Sequence, residues 1–291
     1  MSSRVLTEFD LLFPHSLSEA WKILNQHGDR VTTIAGGTDT LVAMKAGYNT
    51  PYAMSLSRLP DLDYLTFDPE EGLRVGARAT IAQLLDSSVV KECYPALWQA
   101  AKVFATPQLK NVATVLGNML RASPAGDCSC AIYALGGKVL LKSESGQRRV
   151  NVDDFWTGYS QTARQPNELA VELQLSPPAT NRLSAFKRLT RVNEDLAKLN
   201  IAVSLTMDGD TCTDLRLVMG CVGPTLLRLH KTEDQLRGKV LDKHALQAAI
   251  ATVAEEITPI DDKRSTGAYR RKVAGVYLKR TIEQALECSE Q

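Results

Sequence analysis

The sequence has 291 residues, of which 44% are hydrophobic and 23% are charged. This is the composition of an ordinary globular protein, and the length allows two modest domains. The 34 basic residues nearly balance the 33 acidic ones, so the net charge gives no global field that would attract nucleic acid or an anionic membrane. The N-terminal stretch MSSRVLTEFDLLFP carries acidic residues, unlike a signal peptide, and no apolar run is long enough to span a bilayer. We therefore expect a cytoplasmic protein.

The six cysteines, at positions 93, 128, 130, 212, 221 and 288, are expected to be reduced structural thiols. A chain of this length builds its own core and gains little from disulfides. Only Cys128 and Cys130 are close in sequence, and no second pair or nearby histidine completes a set of four metal ligands. The sequence therefore predicts no metal site in this chain.

The first predicted elements form a β–α–β unit. Apolar residues spaced along one helix face predict a helix that begins after Ser16 and ends at Gly28. A short buried strand at 31–35 leads directly into Gly36 and Gly37, and a second strand is predicted at 52–57 beyond a helix-like or irregular segment. The glycine pair therefore lies at the carboxyl end of a strand.

Strands and amphipathic helices alternate as far as residue 175. They are predicted at 72–76 (strand), 81–85 (helix, capped by Thr80), 95–104 (helix), 136–143, 148–152 and 168–175 (strands). Pro177 and Pro178 then interrupt the pattern. Beyond them come strands 184–188, 201–207 and 215–222, with a hairpin turn at 208–210, and helices 243–256 and 266–287. We expect an α+β protein with an N-terminal domain 1–177, divided into subdomains at about 1–57 and 58–177, and a C-terminal domain 182–288.

The segment AGGTD at 35–39 is the first candidate for ligand binding. Glycines permit positive φ and remove the Cβ that would keep a phosphate away from backbone N–H groups, and the Thr38 hydroxyl adds a donor. The segment matches neither the dinucleotide fingerprint G-x-G-x-x-G nor a P-loop. By itself, a glycine pair after a strand is more often an ordinary turn than a ligand-binding segment.

The second candidate is the segment 106–127. Thr114, Gly117 and Asn118 offer a hydroxyl, close backbone approach and a side-chain amide, and the small-residue turn at 122–127 ends in Asp127. A carboxylate there can accept hydrogen bonds from sugar hydroxyls, as an acidic residue does for ribose in other nucleotide sites. The alternative is that Asp127 caps its own turn. Together the two segments predict a nucleotide cofactor held by backbone N–H groups, with a flavin as the best candidate.

The chain resembles the FAD-binding medium subunit of the xanthine dehydrogenase and carbon monoxide dehydrogenase family of molybdenum hydroxylases. The matching segments are AGGTD (35–39), PQLKNVAT (107–114), GN (117–118), ASPAGD (122–127) and SAFKRLTRVNEDLA (184–197). The resemblance implies a two-part FAD-binding domain of the molybdopterin dehydrogenase (PCMH) type. It also implies that a C-terminal α+β domain follows, with an antiparallel sheet and helices, and that the cofactor is FAD.

The resemblance further implies which residues contact FAD. The first glycine segment would wrap the diphosphate, the second would surround the pyrophosphate and ribityl chain, and Asp127 would bind ribityl or ribose hydroxyls. Lys187 would contribute a cation from the C-terminal domain, although a strand lysine is by default a solvated side chain. The expected FAD contacts are Thr32, Thr33, Ile34, Ala35, Gly36, Gly37, Thr38, Asp39, Thr40, Phe104, Thr114, Gly117, Asn118, Asp127, Leu169 and Lys187.

The implied function is that of an electron-transfer subunit of an oxidoreductase. FAD would receive electrons from [2Fe-2S] clusters on a small partner subunit and pass them to an acceptor such as NAD. A separate molybdopterin-binding large subunit would carry the substrate chemistry, in a heterotrimer, so this chain needs no catalytic acid, base or nucleophile. A quinone, a ferredoxin and oxygen are alternative acceptors.

Leu116 departs from the family pattern, which usually has two glycines here (T-I-G-G-N). If this position requires positive φ, a leucine costs about 1 kcal/mol or more. The other possibility is that the Leu116 side chain points away from the cofactor. The first possibility gives the alternative function, a flavin-poor structural subunit that docks its partners. A stand-alone flavin reductase is a third alternative, but the sequence shows no separate fingerprint for NAD(P)H.

Overall fold

The computed structural model describes residues 6–287. Its N-terminal part is a three-stranded parallel sheet, in the order β1-β3-β2, with helices in the connections. The elements are β1 (Asp10–Leu12), α1 (Leu17–His27), a 3₁₀ turn (Gly28–Arg30), β2 (Val31–Ile34), α2 (Thr40–Lys45), β3 (Tyr52–Ser55) and a 3₁₀ turn (Leu56–Arg58). The predicted β–α–β unit is confirmed. Ser16 caps α1 by accepting the N–H of Glu19, and Gly28 ends it with φ of +59°.

The middle part is an antiparallel five-stranded sheet, in the order β4-β5-β10-β6-β7, with helices packed on it. The elements are β4 (Leu65–Asp68), β5 (Gly72–Gly76), α3 (Ile81–Asp86), α4 (Ser88–Cys93), α5 (Pro95–Val103), α6 (Pro107–Lys110), α7 (Val115–Leu120), α8 (Asp127–Leu135), β6 (Gly137–Ser143), β7 (Gly146–Asn151), a 3₁₀ turn (Val152–Asp154), β8 (Trp156–Gly158), β9 (Gln161–Thr162) and β10 (Leu169–Leu175). The predicted cap of α3 is confirmed, because Thr80 and Gln83 form a reciprocal capping box.

The sequence patterns assign no helix between 106 and 135, and the structure shows what they missed. The structure contains three helices there, and each escapes detection for a physical reason. With four and six residues, α6 and α7 are too short to show a helical period. Eight of the nine residues of α8 are buried, so this helix has no polar face that would mark it as amphipathic.

The C-terminal part is an antiparallel sheet, in the order β11-β12-β13-β14, with β15 paired to β13. The elements are β11 (Arg182–Leu189), β12 (Leu199–Asp208), β13 (Thr211–Gly220), β14 (Leu227–Arg228), α9 (His230–Leu236), β15 (Lys239–Val240), α10 (Lys243–Glu256) and α11 (Gly267–Glu287). The predicted hairpin is confirmed, because Asp208 pairs with Thr211 across the turn. Together with the preceding parts, this sheet confirms the predicted α+β fold class.

The C-terminal sheet is buried on both faces. Ile201, Val203 and Leu205 of β12 belong to the core beneath the C-terminal helices. Ala202, on the opposite face, belongs to the core of the N-terminal and middle parts, as does Phe186 of β11. Because side chains alternate across a strand, one sheet seals both cores and places the end of β11 close to α5 and α8.

Residues 176–181 connect β10 to β11 without helix or strand. The division of the chain at this connection stays a prediction. Within residues 6–287, no helix is long and apolar enough to cross a membrane.

Candidate functional site

The first glycine segment forms a tight turn between β2 and α2. Gly37 has φ of +71°, a conformation that glycine adopts at no steric cost. Gly36 lies directly against the second segment, because a Cβ added to it would be 2.0 Å from the backbone oxygen of Val112. No side chain can therefore stand at position 36 without moving the two backbones apart.

The second segment is held in place by local hydrogen bonds. The backbone N–H of Val115 donates to the Ala79 carbonyl at 3.0 Å, and the Ala113 carbonyl accepts from Ile81 at 2.9 Å. The Thr114 hydroxyl caps α7 by accepting the N–H of Gly117 at 3.1 Å. These bonds fasten residues 113–117 to the start of α3 and leave one side of the segment facing the first glycine turn.

The two segments together enclose a narrow cleft of about 40 Å³. The residues that line it are Gly36, Gly37, Thr38, Asp39, Thr40, Phe104, Ala113, Thr114, Gly117 and Asn118. A single water needs about 10–15 Å³ of such volume, so the cleft admits a group of phosphate size. The rest of a dinucleotide must lie outside it, along the neighbouring surface.

Asn118 presents its side-chain amide at this cleft. Its Oδ1 accepts from the N–H and the hydroxyl of Ser129, at 3.2 and 3.0 Å. These two bonds orient the amide, and its Nδ2 has no hydrogen-bond partner among residues 6–287. A donor fixed in this way beside a small cleft suits a phosphate oxygen.

Leu116 fits this arrangement without strain. It lies in the second position of α7, has no positive φ, and is 1% exposed within the core. Its side chain therefore points away from the cleft. The cost expected for a leucine at a position requiring positive φ does not arise.

The remaining expected contacts lie outside the cleft. Thr32, Thr33 and Ile34 pair with β3, and Ala35 follows them at the start of the turn. The strand therefore fixes where the glycine turn begins. Leu169 is 3% exposed at the start of β10. Lys187 of β11 lines a separate, larger cavity beside α5.

Asp127 is engaged by the protein itself. Its Oδ2 accepts from Arg188 Nη1 at 2.7 Å, and its Oδ1 accepts from Asn200 Nδ2 at 2.8 Å. Burial raises the pKa of Asp127, whereas the Arg188 charge and the Asn200 hydrogen bond oppose this rise. Both side chains of the ion pair are 7% exposed. In this structure Asp127 therefore joins the second segment to the C-terminal sheet.

Arg121 places a positive charge beside Asp39, one of the cleft residues, and the sequence patterns do not predict this. Its Nε lies 4.0 Å from Asp39 Oδ1, and its Nη1 donates to the Ser160 hydroxyl at 2.6 Å. Arg121 stands three residues after Asn118, a spacing that places both on one side of a helix. Recognising α7 as a helix would have revealed it.

The cysteines are consistent with structural thiols. Cys93, Cys128, Cys130, Cys212 and Cys221 are free, whereas Cys288 lies outside the described residues. Burial raises the pKa of the Cys221 thiol to about 11 and holds those of Cys128 and Cys130 well above their usual range, so these thiols stay protonated at neutral pH. Across residues 6–287, no group of three or more histidine, cysteine, aspartate or glutamate side chains could hold a metal ion.

Comparison with known proteins identifies similar chains over nearly the whole length. Residues 7–178 match the family described as the FAD binding domain in molybdopterin dehydrogenase, and residues 184–285 match the CO dehydrogenase flavoprotein C-terminal domain. The carbon monoxide dehydrogenase medium chain of Afipia carboxidovorans is 33% identical, and that of Hydrogenophaga pseudoflava is 31% identical. Each alignment covers 95% of this chain and 96% of the relative. A solved structure of the Hydrogenophaga carbon monoxide dehydrogenase, lacking the Mo-pyranopterin moiety of its cofactor, superposes with a TM-score of 0.93 at 29% identity, covering 97% of this chain and 99% of that one.

Proposed function

Because the chain belongs to the FAD-binding medium subunits of molybdenum hydroxylase complexes, we propose that it carries electrons from a partner's iron–sulfur clusters through FAD to an acceptor such as NAD. The observation that supports this best is the cleft between the two glycine-containing segments. Residues far apart in the sequence meet there at a space of phosphate size, and Gly36 makes that approach sterically feasible.

The residues at the cleft fit the diphosphate of FAD. Backbone N–H groups of the first glycine turn, the Thr38 hydroxyl and Asn118 Nδ2 supply donors, and Arg121 adds a positive charge beside Asp39. FAD, when bound, supplies the redox chemistry. The protein holds it, sets the charge around it and excludes water from part of it.

We also propose that a [2Fe-2S] small subunit and a molybdopterin-binding large subunit are the partners. Four apolar side chains near the cleft remain substantially exposed: Leu41 at 40%, Val42 at 64%, Leu109 at 42% and Val112 at 49%. Exposed apolar groups of this kind are typical of surfaces that another chain covers. They support docking of the iron–sulfur subunit on this side, where its clusters would come near the flavin.

The first test is the cofactor content of the purified chain. We expect a yellow protein with the absorption of oxidised flavin, which releases about one FAD per chain on heating. A folded, colourless chain that takes up no added FAD would contradict the proposal. For the acceptor, NADH is added anaerobically to the native complex, and bleaching of the flavin absorption supports NAD.

The alternative function, a flavin-poor docking subunit, depended on strain at Leu116, and the buried helical position of this residue gives it no support. We expect Leu116→Gly to lower the free energy of unfolding by about 3–6 kcal/mol, because it removes a buried leucine and places glycine in a helix. It should not raise the FAD content of the folded fraction. Urea unfolding and FAD stoichiometry measure the two effects, and a clear gain in FAD would instead favour the docking subunit.

A further inference from the structure

A second cavity, of about 620 Å³, lies beside the proposed cofactor cleft. Lys102 and Val103 at the end of α5 line this cavity, and the next residue, Phe104, lines the cleft. The other walls come from the end of β11 and from α11, which contributes Tyr277 and Arg280. The volume is within the range typical of small-molecule sites.

Among residues 6–287, the cavity is lined by several basic side chains and by no carboxylate. Arg188 is neutralised by Asp127. Lys102, Lys187 and Arg280 come from three different elements, and none of them has an ion-pair partner among residues 6–287. The Lys102 ammonium also lies 5.1 Å from the centre of the Trp98 ring, another residue of the cavity wall.

This concentration of charge is local, because the whole chain carries a net charge of only +1. Like charges gathered around one cavity repel one another, and a bound anion relieves that repulsion. The walls also contain Trp98, Phe186 and Tyr277, which offer apolar and aromatic surface. The cavity is therefore suited to a small anion that has an aromatic or planar part.

We propose that this cavity receives the electron acceptor of the complex and that the acceptor is a small organic anion. The proposal rests on the proposed function, because it places the acceptor beside the cofactor cleft at Phe104. It favours an anionic acceptor such as a dinucleotide over a neutral quinone or oxygen. Lys102 and Arg280 are the residues that attract the acceptor.

The test compares acceptors of different charge. The FAD-loaded full chain is photoreduced anaerobically and mixed in a stopped-flow instrument with ferricyanide, hexaammineruthenium(III) or a neutral benzoquinone. With ferricyanide, two electrons reduce two Fe(III) ions to Fe(II), and the flavin protons pass to solvent. We expect Lys102→Gln and Arg280→Gln each to slow ferricyanide reduction by about 3-fold at low ionic strength, and the double variant by about 10-fold.

The same variants should increase the rate at which the cationic ruthenium complex is reduced and leave the rate of quinone reduction unchanged. High salt should remove the differences because it screens these charges. Lys239→Gln, an exposed lysine of β15 outside the cavity, is the matched control and should change none of the rates. If the cavity variants alter all three acceptors equally, or none of them, the proposal is wrong.

A second measurement does not need flavin. Trp98 lines the cavity, so iodide, an anionic quencher, should quench its fluorescence more strongly than its exposure to neutral acrylamide predicts. Lys102→Gln and Arg280→Gln should lower the iodide-to-acrylamide ratio by about 2-fold, with Trp98→Phe identifying the signal. A chain that binds no FAD would contradict the proposed function and leave this test intact, whereas an unchanged ratio would contradict the anion site.

Discussion

Gly36→Ala is expected to weaken FAD binding by about 10- to 100-fold. The added Cβ would lie 2.0 Å from Val112 O and 2.8 Å from Val112 C, both of which are backbone atoms. Overpacking of this kind typically costs 1–3 kcal/mol, and the two segments can relieve it only by separating. Because the separated segments no longer present their donors to one phosphate-sized space, the loss should appear in the dissociation constant for FAD.

Gly223→Ala is the matched control for this prediction. A Cβ at Gly223 would meet only the Thr225 carbonyl oxygen, at 3.7 Å, and Gly223 has no positive φ. Its FAD affinity and stoichiometry should therefore match those of the unmodified chain. Titration of both variants with FAD, followed by flavin fluorescence, gives the comparison. Undiminished affinity in Gly36→Ala would show that the cleft does not hold the cofactor.

Arg188→Met is expected to lower the free energy of unfolding by about 3–5 kcal/mol. Removing one partner of a buried ion pair leaves the other charge buried without compensation, and here that charge is the Asp127 carboxylate, whose side chain is 7% exposed. Urea unfolding measures the effect. Arg191→Met is the control. The Arg191 side chain, which pairs with Asp195, is 63% exposed, and surface ion pairs contribute at most about 1 kcal/mol to the free energy of unfolding.

The loss in Arg188→Met should depend on pH. Burial raises the pKa of Asp127, and the Arg188 charge opposes that rise in the unmodified chain, so its removal leaves the folded-state pKa higher still. A carboxyl whose pKa is raised in the folded state destabilises the fold above that pKa and not below its unfolded value, about 3.9. The deficit should therefore shrink as the pH falls towards 4. A small deficit, or one that grows on acidification, would contradict this account.

Local sequence chemistry was sufficient for several parts of the fold. The cap at Ser16, the end of α1 at Gly28, the glycine pair after β2 and the turn before Thr211 depend on residues close in the chain, and the structure has each of them. Short-range hydrogen bonds and φ preferences act over a few residues. A single sequence displays them directly.

The cofactor site could be predicted only in part from local sequence patterns. The sequence identified the two segments as candidates for one ligand, but their meeting at Val112 depends on how α3, α6 and α7 pack. The sequence also could not decide where the Leu116 side chain points, because a helix of six residues shows no helical period. The family pattern of paired glycines raised the question of backbone strain at Leu116. The structure places this residue in a helix with no positive φ, so no such strain arises.

What the sequence determined by itself was the type and order of most elements, because periodicity and capping are local properties. The tertiary structure alone decided that Asp127 pairs with Arg188, and that Lys102 of α5 and Arg280 of α11 line one cavity. These contacts join residues far apart in the chain. Their energies depend on burial and on charges brought together by packing, which no local pattern records.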